Sequence, residues 1–376
     1  MVNAPWLVLL LAIAGFFLAI SAPAADVTIR GRQILVNGAP FFMKGICYTP
    51  TPPGVSGRRP PNGDFFTTNF QALYKRDLPR IRDMGANCVR VYGWNPLTNH
   101  TEFLDLAWNG GDRPLYVLIG DWIPEGLDWR DPRNNAIAQA RWRAIVINSV
   151  AHPAVLGYTI GNELNGWQLE NPVFWRGLND TAKVVSDLAP RKIISTILRD
   201  DMLTQQLKRH DATMTAINVW CVNLFRGQTF GVFFDEYPGV SSKPALVTEF
   251  GLDAFDRRSG REYADNGLMQ SDVVCSLWRQ LQAHADICSG GSVYSWVDEW
   301  WRIGSPQRQE PGGWPNGAFP DGWADEDYWG LNRLATDGSG SIEPRAVLNS
   351  LKKLWTASDT PKPVSTDRAA VKPARE

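Results

Sequence analysis

The chain has 376 residues, of which 44% are hydrophobic and 20% charged, enough apolar material for a large core and an exclusion of wholesale disorder. Lys plus Arg number 38 and Asp plus Glu 39, a net charge of −1 with no basic block, which argues against an electrostatic nucleic-acid binder. The 17 Trp, 26 Pro and 33 Gly suit long ordered loops and flat aromatic binding surfaces.

Residues 4–25 carry no charge and contain an apolar run over 6–20. Small residues at Ala22 and Ala24 predict cleavage before Ala25, so 1–24 reads as a signal peptide and the product as secreted, extracellular or periplasmic. The alternative is a membrane anchor formed by residues 4–25. Five cysteines, Cys47, Cys88, Cys221, Cys275 and Cys288, match no zinc or redox spacing and read as small buried residues with at most one bridge among them. Residues 358–376 have no apolar period and read as a disordered tail.

Between these ends, 25–357 reads as one catalytic barrel. Val27 to Arg30 and Gln33 to Val36, punctuated by Gly31 and by Asn37-Gly38, predict a β-hairpin under the main fold. Eight β-rich runs follow, at 41–48, 88–92, 115–120, 155–161, 192–198, 216–222, 245–250 and 292–297. Amphipathic segments at 69–84, 135–150, 172–188, 271–285 and 344–355 alternate with them, Pro79 shortening or kinking the first and 229–240 making an irregular sixth crossover. Eight strands with crossovers predict an α/β fold, the (β/α)8 TIM barrel. A long loop between Val297 and Pro344, carrying Trp300, Trp301, Trp314, Trp323 and Trp329, would wall the barrel mouth, where such folds place active sites.

Strand four ends in Asn162-Glu163 and strand seven in Glu249. Counting back by twos reaches Gly161, Thr159 and Gly157 from one and Val247 and Ala245 from the other, which predicts these residues inside the barrel and Leu156, Ile160 and Leu246 facing the helices. Both glutamates then project into the mouth. Paired carboxylates are the equipment of glycosidic cleavage, one protonating the leaving oxygen while the other attacks the anomeric carbon or activates water.

Asn162-Glu163 and Glu249 resemble the acid/base and nucleophile of the retaining clan of (β/α)8 glycoside hydrolases. The opening from Ile34 to Tyr48, the run Cys88-Val89-Arg90-Val91-Tyr92, and Tyr328-Trp329-Gly330-Leu331 with Pro344-Arg345 are similar to the catalytic barrels of family 2 β-glycosidases. Phe42-Met43-Lys44-Gly45, Lys75-Arg76-Asp77-Leu78-Pro79 and Val89-Arg90-Val91-Tyr92-Gly93 also resemble family 72 β-1,3-glucanosyltransferases. The resemblance implies Glu163 as general acid/base and Glu249 as nucleophile, about 5–5.5 Å apart as retention requires. It implies Asn162 on the sugar 2-hydroxyl, Arg90 holding Glu249 ionised, and Trp296 as the floor beneath the sugar at the cleavage point. Tyr48, Trp220 and Trp300 complete the expected substrate contacts, and Trp94, Trp122, Trp167 and Trp301 lie near strand ends as further stacking surfaces.

Strand six departs from the pattern. Relatives present there a Tyr whose hydroxyl touches the nucleophile, whereas Trp220-Cys221-Val222-Asn223-Leu224-Phe225 offers only Trp or Phe. The expected function is a retaining glycoside hydrolase or transglycosylase acting on a β-linked oligosaccharide or polysaccharide, a β-glucan foremost. The alternative is a carbohydrate-binding barrel with impaired catalysis. No metal or cofactor is expected: His100, His152, His210 and His284 make no ligand-spaced cluster, and the chain has no phosphate loop or Rossmann glycine fingerprint. No nucleic-acid partner is expected, and a membrane only if the leader stays attached.

Overall fold

The computed structural model describes residues 23–58, 63–123, 127–164, 166–200, 203–335, 337 and 339–357. The expected leader through residue 22 and the expected tail over 358–376 lie outside these residues. Among the described residues no helix is long and apolar enough to cross a membrane.

Three short antiparallel strands, Val27–Arg30, Gln33–Val36 and Ala39–Phe41, open the fold, one more than the hairpin expected. Asn37 and Gly38 both have positive φ, 53° and 79°, the geometry of a tight hairpin turn between strands of right-handed twist. The eight barrel strands are Met43–Cys47, Cys88–Val91, Tyr116–Asp121, Val155–Ile160, the pair Ile193–Ser195 and Ile197–Leu198, Trp220–Asn223, Ala245–Phe250 and Cys288–Val293. All neighbours pair in parallel. The two short pieces of the fifth strand, one paired to the fourth and the other to the sixth, are separated by Thr196 alone, so the ring closes through that residue.

Helices cover the outside. Pro132–Ile147 and Pro172–Leu188 each begin with proline at the first position after a capping residue: Asp131 accepts from the Arg133 amide and Asn171 from the Val173 amide. Gln71–Asp83 runs through Pro79, its face of Tyr74, Leu78 and Ile81 pinned in the core. Thr101–Trp108 is a helix the sequence reading left unassigned. The sixth crossover is irregular as expected, with one short turn of helix at Phe233–Glu236.

Two apolar clusters divide the interior. The smaller gathers Val27, Ile34 and Val36 of the opening strands with Met43, Cys88, Leu118, Leu156, Ile193, Cys221 and Leu246 of the barrel, and is the barrel interior with the opening sheet as its floor. Leu156 and Leu246 therefore face inward and Ala245 and Val247 join the cluster that includes the helices, correcting the alternation inferred from the sequence, whereas Ile160 faces the helices as expected. The cause is one extra residue in each strand. Pairing slips between Val117↔Val155 and Leu118↔Gly157, and between Val222↔Val247 and Asn223↔Glu249, so Leu156 and Thr248 are bulge residues that reset the parity. All five cysteines are buried and free.

Candidate active site

A cleft of about 990 Å³ opens at the carboxyl ends of the strands, and Glu163 and Glu249 both line it. The bulge at Thr248 turns Glu249 inward beside Asn223 of strand six. Strand four ends differently. Gly161 and Glu163 both adopt left-handed backbone, φ 79° and 49°, so the chain turns sharply out of the strand and presents Asn162 and Glu163 at the rim. A glutamate with positive φ is uncommon, and such strain concentrates where function requires it.

Glu249 is held tightly. Arg90 Nη1 donates to its Oε1 at 2.6 Å and the Tyr92 hydroxyl to the same oxygen at 2.7 Å. Arg90 is 1% exposed, donates to the Thr248 carbonyl at 2.9 Å, and reaches Asn162 Oδ1 through Nη2. Glu163 receives weaker support, one bond from Asn223 Nδ2 to Oε1 at 3.2 Å. Burial first, and then the negative charge of Glu249, push the Glu163 pKa up to about 7 against the opposing effects of Asn223, Arg302 and Arg90. The site thus differentiates its two carboxylates: one has a buried guanidinium and a phenol on it, while the other is poised to hold a proton near neutrality.

The expected substrate contacts divide. Asn162 reaches the cleft, and Arg90 lies directly beneath it on Glu249. Tyr48, Trp220, Trp296 and Trp300 do not line the cleft, which corrects four expectations. On strand one, Met43 belongs to the interior cluster and the Cys47 thiol donates across to the Thr248 carbonyl at 3.3 Å, whereas Tyr48 packs on Phe66 and Phe103 and donates to Asp77 at 3.1 Å. Trp220 faces outward too, its indole donating to Asp211 at 2.6 Å beneath the Lys243 ammonium. Strand eight begins at Cys288, four residues earlier than expected, so Trp296 falls past its end and is fully buried. Trp300 is 5% exposed and also belongs to the core. Of the secondary candidates, Trp122 and Trp301 line the cleft, Trp94 is buried against His100, and the Trp167 side chain is outside the described set.

Other residues occupy the vacated roles. Tyr92, one residue past strand two, gives Glu249 the hydroxyl that strand six lacks. Tyr294, one residue past strand eight, lines the cleft and donates to Glu299 Oε2 at 2.8 Å. The long loop walls the mouth as expected, contributing Trp301, Trp314 and Trp329. Trp122 and Trp314 are 51% and 36% exposed, open enough to offer a ring face to a ligand. Arg302 projects into the same cleft, paired with Glu326 and 3.9 Å from Glu299.

Solved structures with this fold include the β-D-glucuronidase of Dictyoglomus thermophilum, with TM-score 0.59 and 15% identity over 89% of this chain and 54% of that one. They also include the β-glucuronidase of Ruminococcus gnavus in complex with C6-substituted uronic isofagomine, with TM-score 0.64 and 15% identity over 88% of this chain and 52% of that one. Among curated proteins, 1,3-beta-glucanosyltransferase GAS2 of Saccharomyces cerevisiae is 24% identical over 288 residues, covering 70% of this chain and 48% of its own length. Protein EPD1 of Candida maltosa is 25% identical over 285 residues, with 70% and 47% covered. The chain spans about half the length of these curated relatives. The sequence description of glycoside hydrolase family 72, Glucanosyltransferase, matches residues 17–305, and the chain belongs to that family.

Proposed function

We propose that the chain is a retaining glycosyl-transfer enzyme that cleaves a β-1,3-glucan and passes the released segment to a sugar hydroxyl or to water. The observation that carries the reading is the asymmetry of the carboxylate pair: Arg90 and Tyr92 both donate to Glu249, whereas Glu163 is half-buried near it with a pKa of about 7. Glu249 attacks the anomeric carbon while Glu163 protonates the glycosidic oxygen, which leaves as an alcohol. Glu163, now ionised, takes the proton of the incoming hydroxyl as that oxygen displaces Glu249. Asn162, its Oδ1 committed to Arg90, offers Nδ2 to the sugar 2-hydroxyl. Trp122 and Trp314 offer stacking surfaces for sugars along the mouth. The relatives' printed names support the glucan and the transfer reaction.

The same reading takes 1–24 as an export leader removed before Ala25, 25–357 as the catalytic unit and 358–376 as a tail outside it. The exported protein would meet its polysaccharide outside the cytoplasm. Incubation with reduced β-1,3-gluco-oligosaccharides, with products read by mass and anomeric configuration by NMR, tests the activity. Products longer than the donor with β-configuration support it. Absence of turnover by folded protein, with binding retained, would replace it by a sugar-binding barrel.

A further inference from the structure

Asn223 takes no direct part in the glycosyl transfer proposed for Glu163 and Glu249. It is 1% exposed at the end of strand six, and every contact of its side chain is with the site. Its Oδ1 accepts from the Thr248 hydroxyl at 3.0 Å and faces Arg90 Nη1 at 3.5 Å. Its Nδ2 donates to Glu163 Oε1 at 3.2 Å and to Asn162 Oδ1 at 3.4 Å. A guanidinium can only donate, so the amide end facing Arg90 must be the oxygen, and a flipped amide would set donor against donor. The orientation is therefore locked by Arg90, the group that also holds Glu249.

We infer that Asn223 is a positioning residue that seats the transferable proton of Glu163 on Oε2. Its N–H occupies Oε1, which is the poorer seat for a proton while that bond stands, so the acid is presented from the other oxygen. The same amide holds the carboxylate in place after the proton has gone to the leaving alcohol and until Oε2 receives one from the acceptor. The arrangement makes strand six, where a tyrosine on the nucleophile was expected, serve the acid/base instead. The hydroxyl on the nucleophile comes from Tyr92 on strand two.

This inference rests on the acid/base role proposed for Glu163, and the experiment separates the two. Asn223→Asp keeps the shape and the acceptor end but replaces the donor by an oxygen; Asn223→Leu removes both ends. Each is compared with wild type on a β-1,3-gluco-oligosaccharide, whose alkoxide leaving group needs the proton, and on the matching β-glycosyl fluoride, whose leaving group needs little help. Each variant is expected to lose about 100-fold in kcat/KM on the oligosaccharide, within the range of general-acid assistance, and under about 5-fold on the fluoride. The alkaline limb of the oligosaccharide profile moves up in pH, because the bond that favours ionised Glu163 is gone. Glu249, Arg302 and Arg90, the charged groups that act on Glu163 from strand seven, the long loop and strand two, are unchanged in the variants. Equal losses on both substrates, no loss on either, or an unmoved alkaline limb in both variants would overturn the inference while leaving the function intact. An inactive wild type on both substrates would remove the acid/base reading and this inference with it.

Discussion

Glu163 should destabilise the protein at the pH where its charge is needed. Its pKa rises from the ordinary 4.5 to about 7 because burial, then Glu249, penalise the ionised form. The folded chain thus binds this proton more tightly than the unfolded chain, and stability falls as pH rises between the two values. Below pH 4.5 both states are protonated and nothing is lost; above 7 the whole cost is present. At about 1.4 kcal/mol per pH unit the shift is worth about 3 kcal/mol, and partial exposure of the side chain reduces this to on the order of 2. Glu163→Gln removes the titration and keeps an oxygen for Asn223 Nδ2. Urea unfolding of wild type and variant at pH 4 and pH 8.5 should give a variant about 2 kcal/mol more stable, relative to wild type, at the higher pH than at the lower. The other titrating groups are common to both proteins and cancel in that difference. A pH-independent difference between the two proteins would refute the claim that Glu163 is strained by its own ionisation, and with it the reason for assigning it the acid's role.

Glu249→Ala should lower turnover by about 10⁴-fold or more, with partial recovery in azide through a glycosyl azide of α-configuration; a β-azide product would show that the attacking carboxylate lies elsewhere. Tyr92→Phe should cost about 10- to 100-fold in kcat, the worth of one hydrogen bond to a charged group, while the far-ultraviolet spectrum and melting temperature stay near wild type; unchanged kinetics would remove the hydroxyl from the mechanism. Tyr48→Phe should do the reverse, losing about 1–2 kcal/mol of stability with its buried bond to Asp77 and leaving KM unaltered, and a raised KM would restore Tyr48 to the substrate. Oligosaccharide protection of Trp122 and Trp314 from oxidation by N-bromosuccinimide should be at least about 3-fold, against none for a non-binding sugar alcohol.

The barrel was legible because its evidence is redundant: eight apolar runs separated by amphipathic segments survive errors of several residues at any one of them. The carboxylates were legible for the same reason, each standing at the end of a run. Parity was not. A single bulge at Leu156 or Thr248 exchanges the two faces of a strand, and no residue type announces it. Strand eight was placed four residues late, Ser289-Gly290-Gly291 lacking the β-branched and aromatic residues that mark a strand. In the fold Gly290 is there for close approach, since a side-chain carbon on it would stand 2.3 Å from the Met43 carbonyl oxygen. Trp296 entered the expected site through the family resemblance, whereas in the fold Trp296 is buried and Tyr294 lines the cleft. The part of Tyr92 was not legible, because a residue just past a strand end can face either way; its hydroxyl bond to Glu249 at 2.7 Å and the Arg90 guanidinium 4.2 Å from its ring fix it inward.

The charges of the site explain why its two carboxylates cannot be interchanged. Arg90 is the buried cation of the strand ends, and its shortest charged contact, 2.6 Å, is to Glu249. Glu163 reaches it only through Asn223 and Asn162, two neutral amides. With Arg90 committed to Glu249, Glu163 is left to hold its proton or to bear a cost of burial that the more distant charges of Arg302 and Arg90 only partly offset. In the mechanism proposed above, esterification of Glu249 by a sugar removes its charge, so the repulsion that adds to burial in raising Glu163 disappears while the pull of Arg90 remains. The acid becomes a better-stabilised carboxylate at the step where it must accept a proton. In the proposed mechanism the buried guanidinium therefore favours ionised Glu163 throughout, opposed by the charge of Glu249 in the first half of the reaction and unopposed by it in the second.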